Sequence, residues 1–398
     1  MYFSTSTFEM TDRRLLVLFF TLASALLLVV AVWNWSHWSW RESRRFVAGD
    51  FSAKVNLVFK GQGLSPRISN WLYQQGISTR PKYVVVGQDG WMYLGDKFES
   101  VASKAAGHYS WPDPPAIDRW KSQLLARQQW LESQGVVSLF AIAPNKHSIY
   151  PENGPSWLPF RSPALTPHLV MQAKAKDISI VDSGPVIAAQ RCCMDWLYTK
   201  TDSHWTLLGA YFAYLDIMQE ITAQIPGLVV LPDASVSFGE SRLPGGGLDR
   251  MLGIDGFYRG EVDPGYSLRI LPVANKLCVR KTSRAFRGTK KCEAVGDINM
   301  PAGIRTVNRL SNPDALNDLS VLIVGDSFSL GPSRYFNHSF STVWHAHLGY
   351  ILNGERLKTF VQKFKPDVVL YLVVERNILR PLVYEFDGQS NITAPIIE

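Results

Sequence analysis

Apolar runs alternate with stretches of helical periodicity along most of the chain. Between residues 116 and 134 apolar side chains recur every third or fourth position, which predicts an amphipathic helix. The apolar run VVSLFAI at 136–142 follows it and predicts a buried strand. The same rhythm predicts further strands at 178–181, 319–324, 342–345 and 367–374, and further helices at 206–224 and 352–364. Such alternation favours an α/β fold with a parallel sheet flanked by helices.

Three segments depart from this rhythm. Residues 82–95 (KYVVVGQDGWMYLG) place two short apolar runs around an Asp-Gly step, which predicts a β-hairpin. Residues 96–114 show no period and are predicted to be a loop. Residues 228–300 contain the glycine-rich stretch LPGGGLDR and two spaced cysteines, and we expect an irregular, strand-rich insertion there. The insertion also carries a basic cluster that matches no motif, made of Arg280, Lys281, Arg284, Arg287, Lys290 and Lys291.

The N-terminal region contains a candidate membrane span. Residues 15–32 form an uncharged stretch of 18 residues, enough to cross most of a hydrocarbon core, and the tryptophan-rich WNWSHWSW follows. A cleaved signal peptide would have a shorter apolar stretch followed by small residues, so the pattern favours an uncleaved anchor. Two arginines precede the span and three follow it, so the positive-inside rule does not decide the orientation. We expect a cytoplasmic tip and transmembrane anchor at 1–40, a stalk at 41–80 and the main domain at 81–398.

Composition narrows the class of protein. Of the 398 residues, 46% are hydrophobic and 19% are charged, which is typical of a globular chain. The formal net charge of +7 includes no lysine-rich block of the kind that binds nucleic acid. This charge suits an anionic polymer, a membrane surface or ordinary solubility.

The cysteines bear on the compartment. The chain has four, Cys192, Cys193, Cys278 and Cys292, and none has metal-ligand spacing, so we expect no metal site. Cys278 and Cys292 are candidates for a disulfide, which would require an oxidising compartment; the alternative is free, buried thiols. The anchor and the even number of cysteines together favour an exported domain.

The stretch VLIVGDSF contains the first candidate for chemistry. Four branched apolar residues at 321–324 predict a buried parallel strand, and the chain turns at Gly325 directly after it. Ligands of open α/β sheets bind outside the carboxyl ends of such strands. Ser327 is therefore a candidate nucleophile, with backbone N–H groups of the turn available to an oxyanion. Asp326 beside it is expected to brace the turn.

The stretch YTKTDSHW contains the second candidate. A serine hydroxyl is a poor nucleophile unless a base removes its proton, and the base needs a partner that fixes its tautomer. Asp202 and His204 are two residues apart, and in an extended segment their side chains point to the same side. The carboxylate can then hold the imidazole while its other nitrogen faces Ser327. A solvated loop pair or a core histidine is the alternative for this stretch taken alone.

The motifs, in this order, resemble a known family. The spacing D-x-H-W, followed far downstream by an apolar strand and G-D-S, is similar to the alginate O-acetyltransferase family of SGNH-like proteins, the DHHW-type AlgJ and AlgX kind. Supporting pieces are V-G-x-D-G-W-x-Y-L at 86–94, A-P-N-K-x-x-I-Y-P at 143–151 and the last strand with Glu375-Arg376. The resemblance covers most of 80–380 and implies an SGNH-like sheet. Ordinary SGNH hydrolases carry the serine first and the acid–base pair last, so it also implies a circularly permuted order.

The resemblance draws attention to further residues. Lys146 stands where the family carries a matching lysine, and it is a candidate either for substrate binding or for buttressing the site. Asn145 is a candidate oxyanion donor, and Tyr335 a candidate for the acceptor groove. Arg376 is a candidate substrate-binding residue, although it could instead pair with Glu375.

Taken together, these features predict a periplasmic serine O-acetyltransferase that acetylates an exported polysaccharide through an acetyl-serine intermediate. The alternatives are an acetyl esterase with the same catalytic parts and a non-catalytic polysaccharide-binding scaffold of an export complex. No coenzyme A motif or phosphate loop is apparent, so we expect no cofactor. The family implies that a multi-pass membrane acyltransferase is the partner that donates the acetyl group. No nucleic acid is expected as a partner.

Overall fold

The computed structural model describes parts of 17–32 and then 64–108, 112–161, 165–243, 245–257, 263–270, 278–280, 307–351, 353–379 and residue 386. Eleven strands lie within these ranges. They are β1 Val84–Val86, β2 Met92–Leu94, β3 Val137–Ala143, β4 Ile180–Asp182, β5 Val236–Leu243, β6 Asp263–Ile270, β7 Cys278–Arg280, β8 Val307–Ser311, β9 Asn317–Gly325, β10 Phe340–His347 and β11 Val368–Val374.

The central sheet of the described residues has seven strands in the order β4-β3-β11-β9-β10-β8-β7. The first five strands in this order are parallel to their neighbours. Strand β8 pairs antiparallel with β10, and β7 pairs antiparallel with β8. The predicted α/β class is therefore confirmed, with a mixed sheet in place of a purely parallel one.

Helices cover both faces of this sheet. Those described between 64 and 379 are α1 Leu64–Gln74, α2 Val101–Ala105, α3 Pro114–Ser133, α4 Lys146–Ile149, α5 Leu165–Lys174, α6 Gly184–Ala189, α7 Leu207–Gln224, α8 Gly247–Leu252, α9 Ser333–Ser339, α10 Leu348–Ile351 and α11 Gly354–Phe364. Helix α7 contributes to the apolar cluster on one face, and α3 and α11 contribute to the cluster on the other.

The apolar side chains of the strands divide between these two clusters. In β3, Leu139 and Ala141 belong to one cluster and Phe140 and Ile142 to the other, as the alternation of side chains along a strand requires. All seven residues of β11 are buried. Continuous burial of this kind is typical of a parallel strand that is covered on both faces, and it explains why these strands appear in the sequence as unbroken apolar runs.

Most of the predicted elements are confirmed within a few residues. The predicted helices at 116–134 and 206–224 are α3 and α7, and the side chains of Asp113 and Thr206 cap their first turns. The predicted hairpin at 82–95 is the antiparallel pair β1–β2. The loop prediction for 96–114 is wrong in part, because this segment contains α2. That helix has only five residues, too few to show a helical period.

The predicted insertion at 228–300 is strand-rich where it is described. Strands β5 and β6 form an antiparallel pair, and β7 joins the edge of the central sheet. Helix α8 lies between β5 and β6 in sequence and packs Leu248 and Leu252 against the β1–β2 hairpin. Cys292 and all of the basic cluster after Arg280 lie outside the described residues, so the Cys278–Cys292 disulfide stays a prediction.

The predicted anchor at 15–32 lies partly outside the described residues. Within the part of the chain that is described, no helix is both long enough and apolar enough to cross a membrane. Helix α1 lies inside the predicted stalk, where the hydroxyl oxygens of Ser69 and Thr79 are 3.2 Å apart. The anchor and the stalk stay predictions.

Candidate active site

The carboxyl ends of β3, β9 and β11 lie side by side at one edge of the sheet. Asn145 and Lys146 follow β3, Ser327 follows β9, and Arg376 follows β11. Ligands of open α/β sheets bind outside the carboxyl ends of the strands. Four of the predicted site residues therefore lie at the edge of the sheet where a binding site is expected.

Ser327 begins a short 3-10 turn directly after β9, and it is exposed. The turn is shaped by Asp326, whose carboxylate accepts hydrogen bonds from the N–H of Phe328 at 3.0 Å and from the N–H of Val374 at 2.9 Å. The side-chain amide of Asn377 donates to the same carboxylate at 2.9 Å. Asp326 therefore joins the turn after β9 to the end of β11, which agrees with the bracing role predicted for it.

The turn is tight at Gly325. A Cβ at this position would lie 2.5 Å from Oγ of Ser329 and 2.7 Å from the carbonyl oxygen of Leu372, so only glycine fits. The N–H groups of Phe328 and Ser329 both bond to Asp326. The expectation that the N–H groups of this turn are free for an oxyanion is therefore wrong for these two.

Asp202 and His204 lie in a loop that an isolated antiparallel bridge between Tyr198 and Trp205 closes. The residues between them form bends and not the extended segment that the sequence suggested. The two side chains meet all the same, because Oδ1 of Asp202 accepts both the backbone N–H of His204 at 3.0 Å and its ring Nδ1 at 2.6 Å. The loop, and not the two-residue period of a strand, brings the pair together.

His204 connects this pair to the serine. Its Nε2 lies 2.7 Å from Oγ of Ser327. An ionised carboxylate only accepts hydrogen bonds, so Nδ1 carries the proton that faces Asp202, and Nε2 of the neutral ring accepts from the Ser327 hydroxyl. The imidazole ring also packs on Phe328, with a centroid distance of 4.8 Å. The structure thus brings together the three residues predicted as the catalytic set, in the order that proton transfer requires.

The electrostatics of Asp202 favour its charged form. Burial by itself would raise the pKa of this carboxyl. The hydrogen bond from the His204 ring, the attraction to that ring when it is protonated, and the N–H groups of His204 and Gly247 outweigh burial and hold the pKa of Asp202 well below its usual range. The Gly247 N–H donates to Oδ2 at 2.8 Å. Asp202 therefore remains ionised and can hold His204 in one tautomer at neutral pH.

Several known proteins are similar to this chain. Residues 84–264, less than half of the chain, match the family model described as "SGNH hydrolase-like domain, acetyltransferase AlgX". A "Probable alginate O-acetylase AlgJ" from Pseudomonas syringae pv. tomato is 24% identical over 345 residues, which are 81% of this chain and 75% of that protein. A protein of the same name from Pseudomonas aeruginosa is 26% identical over 202 residues, 49% and 46% of the two chains. The chain is therefore similar to the SGNH-like acetyltransferases AlgJ and AlgX.

A solved structure shows the same fold. "Structure of Bacillus cereus PatB1 with sulfonyl adduct" superposes with a TM-score of 0.51 at 16% identity, over 74% of this chain and 97% of that one. The segment that matches the family model contains Asp202 and His204 and ends before Ser327. The contact between His204 and Ser327 therefore joins the matched segment to the strand that follows the insertion.

The Lys146 side chain is buried behind the loop that carries Asp202, and it does not face a substrate. Its side chain is only 2% exposed, and its ammonium donates to the backbone carbonyls of Thr199, Lys200 and Asp202. An ammonium has three N–H donors, and all three are used. Of the two roles considered for Lys146, the structure supports the buttress and contradicts direct substrate binding.

Asn145 is part of a buried network around Glu375. It is 5% exposed, and its backbone N–H donates to the Glu375 carboxylate at 2.9 Å. The hydroxyl groups of Ser148 and Thr166 donate to the same carboxylate at 2.6 and 3.1 Å. The side-chain oxygen of Asn145 accepts from Arg376 at 2.8 Å. The amide is thus held within the protein, so the expected oxyanion donor is a structural residue here.

Arg376 lies next to the turn that contains Ser327. Its guanidinium carbon is 5.3 Å from the ring centroid of Phe328, and the side chain is half-buried. Together with Asn145, Lys104 and Glu375, it lines a pocket at the edge of the sheet. Of the four residues predicted to bind substrate, Arg376 is the one that keeps a position suited to that role.

Tyr335 is wrongly predicted as part of an acceptor groove. Its side chain is completely buried, and its hydroxyl donates to the carbonyl of Leu207 at 2.6 Å. The ring packs against Tyr211 and Tyr214. Burial raises the pKa of the Tyr335 hydroxyl well above its usual value. Tyr335 is therefore a core residue that joins α9 to α7.

The glycine-rich part of the insertion is a component of the site that the sequence does not indicate. The Gly246 N–H donates to the Thr201 hydroxyl at 2.8 Å, next to the bond from Gly247 to Asp202. The carboxylate of Asp263, in β6, accepts hydrogen bonds from the N–H group of Thr201 and from its hydroxyl. The motif LPGGGLDR was visible in the sequence, but nothing there indicated that it contacts a loop more than 40 residues earlier.

Two remaining expectations concern metals and thiols. Within the described ranges, no three His, Cys, Asp or Glu side chains are grouped so as to hold a metal ion. Cys192 and Cys193 are exposed free cysteines.

Proposed function

We propose that this chain is a polysaccharide O-acetyltransferase in which Ser327 is the nucleophile, His204 the general base and Asp202 the residue that orients the base. One observation carries the proposal: His204 lies within hydrogen-bond distance of both partners, 2.6 Å from Asp202 and 2.7 Å from Ser327. The match of residues 84–264 to the AlgX family model supports acyl transfer as the reaction class, and relatives bear the name "Probable alginate O-acetylase AlgJ".

The proposed reaction has two steps. In the first, Nε2 of His204 takes the hydroxyl proton of Ser327, Oγ forms a bond to the acetyl carbon of a donor, and the donor's leaving group departs with that proton. In the second, His204 takes the proton of a sugar hydroxyl, and the sugar oxygen attacks the acetyl-serine carbonyl. The Ser327 oxygen then leaves and recovers its proton from His204. Asp202 stabilises the imidazolium in both steps and remains ionised.

The proposed setting is the periplasmic face of the inner membrane. Residues 1–40 would provide a cytoplasmic tip and an anchor, 41–80 a stalk, and 81–398 the catalytic domain with its insertion at about 228–300. A multi-pass membrane acyltransferase would supply the acetyl group, and an exported polysaccharide would accept it. Co-purification from membranes tests this setting: recovery of the chain with no multi-pass partner, or in the soluble fraction, would contradict it.

Asp202, His204 and Ser327 together form the proposed proton relay. Substitution of each of these residues tests the catalytic proposal. Ser327→Ala, His204→Ala and Asp202→Ala should each abolish acetylation of the polysaccharide, measured as ester-linked acetate on the isolated polymer. Ser203→Ala is a matched control, because it changes the residue between Asp202 and His204 and leaves the relay intact. It should acetylate at the wild-type level. Full acetylation by Ser327→Ala in cells without another copy of the gene would disprove the proposal.

The same experiment separates the rival functions. An esterase would use the identical relay but release acetate into water, so transfer of the acetyl group to an added oligosaccharide distinguishes the two. A non-catalytic scaffold predicts that acetylation survives in Ser327→Ala and disappears only when the whole gene is deleted. Mass spectrometry of Ser327 after incubation with an activated acetyl ester should show a gain of one acetyl group if the chain is an enzyme.

A further inference from the structure

Lys146 lies at a point where an unpaired charge would be costly. It follows the carboxyl end of β3, begins α4, and directs its side chain into the protein between the β1–β2 hairpin and the loop that carries Asp202. Its Nζ lies 5.5 Å from the ring centroid of Trp91 and 5.2 Å from that of Tyr93. A lysine ammonium removed from water in this way is retained only where specific partners compensate it.

The partners are three carbonyl groups of one loop. Nζ donates to the carbonyl oxygens of Thr199 and Lys200 at 2.9 Å and to that of Asp202 at 2.6 Å. Carbonyl dipoles that point to one spot repel each other, and a cation at that spot removes the repulsion. Because this stretch forms bends and not a strand, no regular ladder aligns these carbonyls, although the Lys200 carbonyl also accepts from the N–H of Met92 in β2 at 3.0 Å.

A carboxylate holds the same loop through its N–H groups. The Asp263 side chain accepts from the N–H of Lys200 at 2.9 Å and from the N–H of Thr201 at 2.8 Å. A cation on the carbonyls and an anion on the N–H groups thus determine the path of the backbone just before Asp202. Asp263 and Lys146 belong to distant parts of the chain, and the loop lies between their charges.

We infer that Lys146 is a positioning residue, whose ammonium holds the backbone of Asp202 so that its carboxylate stays aligned with His204 and Ser327. The inference rests on the proposed function, since it assigns a role within that relay. The ammonium bonds the carbonyl of Asp202 itself, and the carboxylate of the same residue bonds His204 at 2.6 Å. Loss of the cation would let this residue move by an amount that matters, because a misplacement of about 1 Å can cost roughly 100-fold in rate.

The protonation of Lys146 then controls the relay at alkaline pH. Burial lowers its pKa to about 7, against the opposing attraction of Asp263 and Asp202. The other titratable groups beside it are neutral, since burial lowers the pKa of His147 to about 3 and raises that of Tyr93 far above its usual value. The cation is therefore present below pH 7 and is lost as the pH rises through this value.

The stability of the fold depends on pH in the opposite direction. The folded pKa of Lys146 lies below the value of 10.5 that the side chain has when unfolded. Between these two values the unfolded chain binds one more proton than the folded chain, so this group makes the free energy of unfolding rise with pH. The loss of the Lys146 proton therefore does not itself destabilise the fold over the range in which it should slow the reaction.

The test uses the full-length protein and a reagent that needs only an activated serine. In the reaction with phenylmethanesulfonyl fluoride, Oγ of Ser327 bonds to sulfur, fluoride leaves, and the serine proton passes to His204. The rate is followed by intact-mass spectrometry between pH 6 and 9.5, alongside thermal unfolding. The variants are Lys146→Met, which removes the charge, and Lys146→Arg, which keeps a cation that does not titrate in this range. Lys174→Met, an exposed lysine of α5, is the matched control.

We expect the wild type and Lys174→Met to label at the same rate, and that rate to decline above about pH 7. Lys146→Met should label about 100-fold more slowly at pH 6.5 and show no decline. Lys146→Arg should recover most of the rate and also lose the decline, because arginine stays charged. Wild-type rate and pH dependence in Lys146→Met would overturn the inference. If Lys146→Met does not fold, a folded Lys146→Arg that retains the wild-type decline above pH 7 would overturn it as well.

The two proposals fail in different ways. If Ser327→Ala still acetylates polysaccharide, the proposed function is wrong whatever Lys146 does. If Ser327→Ala is inactive but Lys146→Met labels like the wild type, only the role of Lys146 is wrong.

Discussion

A methyl group added at Gly246 would measure how strongly the position of Asp202 controls the relay. Gly246 has φ −90° and ψ −154° at the start of α8, a backbone that alanine also adopts. A Cβ there would lie 2.6 Å from Cβ of Asp202 and 2.6 Å from the carbonyl oxygen of Thr201. Any loss of reactivity in Gly246→Ala would therefore come from contact with the loop that carries Asp202 and not from backbone strain.

The required displacement follows from these distances. Carbon atoms in contact are about 3.5–4.0 Å apart, so Gly246→Ala must separate the two loops by roughly 1 Å. Asp263 holds Thr201, and Lys146 holds the backbone of Asp202, so neither residue can move without losing hydrogen bonds. A shift of this size in a residue that orients the general base should slow the reaction of Ser327 by about 100-fold.

The assay is the rate at which Ser327 reacts with phenylmethanesulfonyl fluoride, measured together with thermal unfolding. Gly247→Ala is the matched comparison, because a Cβ there lies 3.4 Å from Oδ2 of Asp202, an ordinary contact, and alanine keeps the N–H that bonds this carboxylate. Its loss should be less than about tenfold. If Gly246→Ala folds normally and reacts within about threefold of the wild-type rate, then the contact between Gly246 and the Asp202 loop does not control the alignment of Asp202 with His204 and Ser327.

Two further predictions address the charge of Asp202 and the role of Tyr335. Asp202→Asn should lower the reaction rate of Ser327 by on the order of 10³ to 10⁴, because an amide does not hold the required tautomer of His204. Since the folded pKa of Asp202 is depressed, its charge stabilises the fold above about pH 4, and the difference in unfolding free energy from Asp202→Asn should shrink below that pH. A difference that stays constant from pH 7 to pH 3 in urea unfolding would contradict this. Tyr335→Phe should cost about 1 kcal/mol of stability through the lost bond to Leu207 and leave activity unchanged; a loss of activity in the folded variant would restore its predicted place in the acceptor groove.

The sequence predicts those parts of the site whose structure is determined by a few neighbouring residues. The position of Ser327 is predictable because a run of four branched apolar residues, which favours a buried strand, ends in Gly-Asp, which favours a turn. The brace by Asp326 follows from the same few residues. Asp202 and His204 were expected to meet, but for a reason that does not hold, because the segment is bent and the carboxylate of Asp202 accepts from the backbone of His204 as well as from its ring.

The parts that the sequence does not predict depend on contacts between distant segments. Tyr335 follows the nucleophile by only eight residues, yet its ring lies in the core between α9 and α7. Asn145 and Glu375 are 230 residues apart, and only the pairing of β3 with β11 brings them together. Short helices such as α2 are not predicted from the sequence, because little more than one turn is too short to show a helical repeat of apolar residues.

The loop that carries Asp202 and His204 also explains why the insertion belongs to the site. A strand would have held these residues through its own ladder, but the loop has only the single bridge between Tyr198 and Trp205 at its base. Further hydrogen bonds come from outside the loop. Lys146 and the N–H of Met92 bond its carbonyls. Gly247 and Asp263, both in the insertion, bond the Asp202 carboxylate and the N–H groups before it. Ser327 needs no such help, because its turn is attached directly to β9 and β11. Ser327 is thus positioned by the sheet and His204 by the surroundings of its loop, so substitutions in the insertion should act through His204 and not through the position of Ser327.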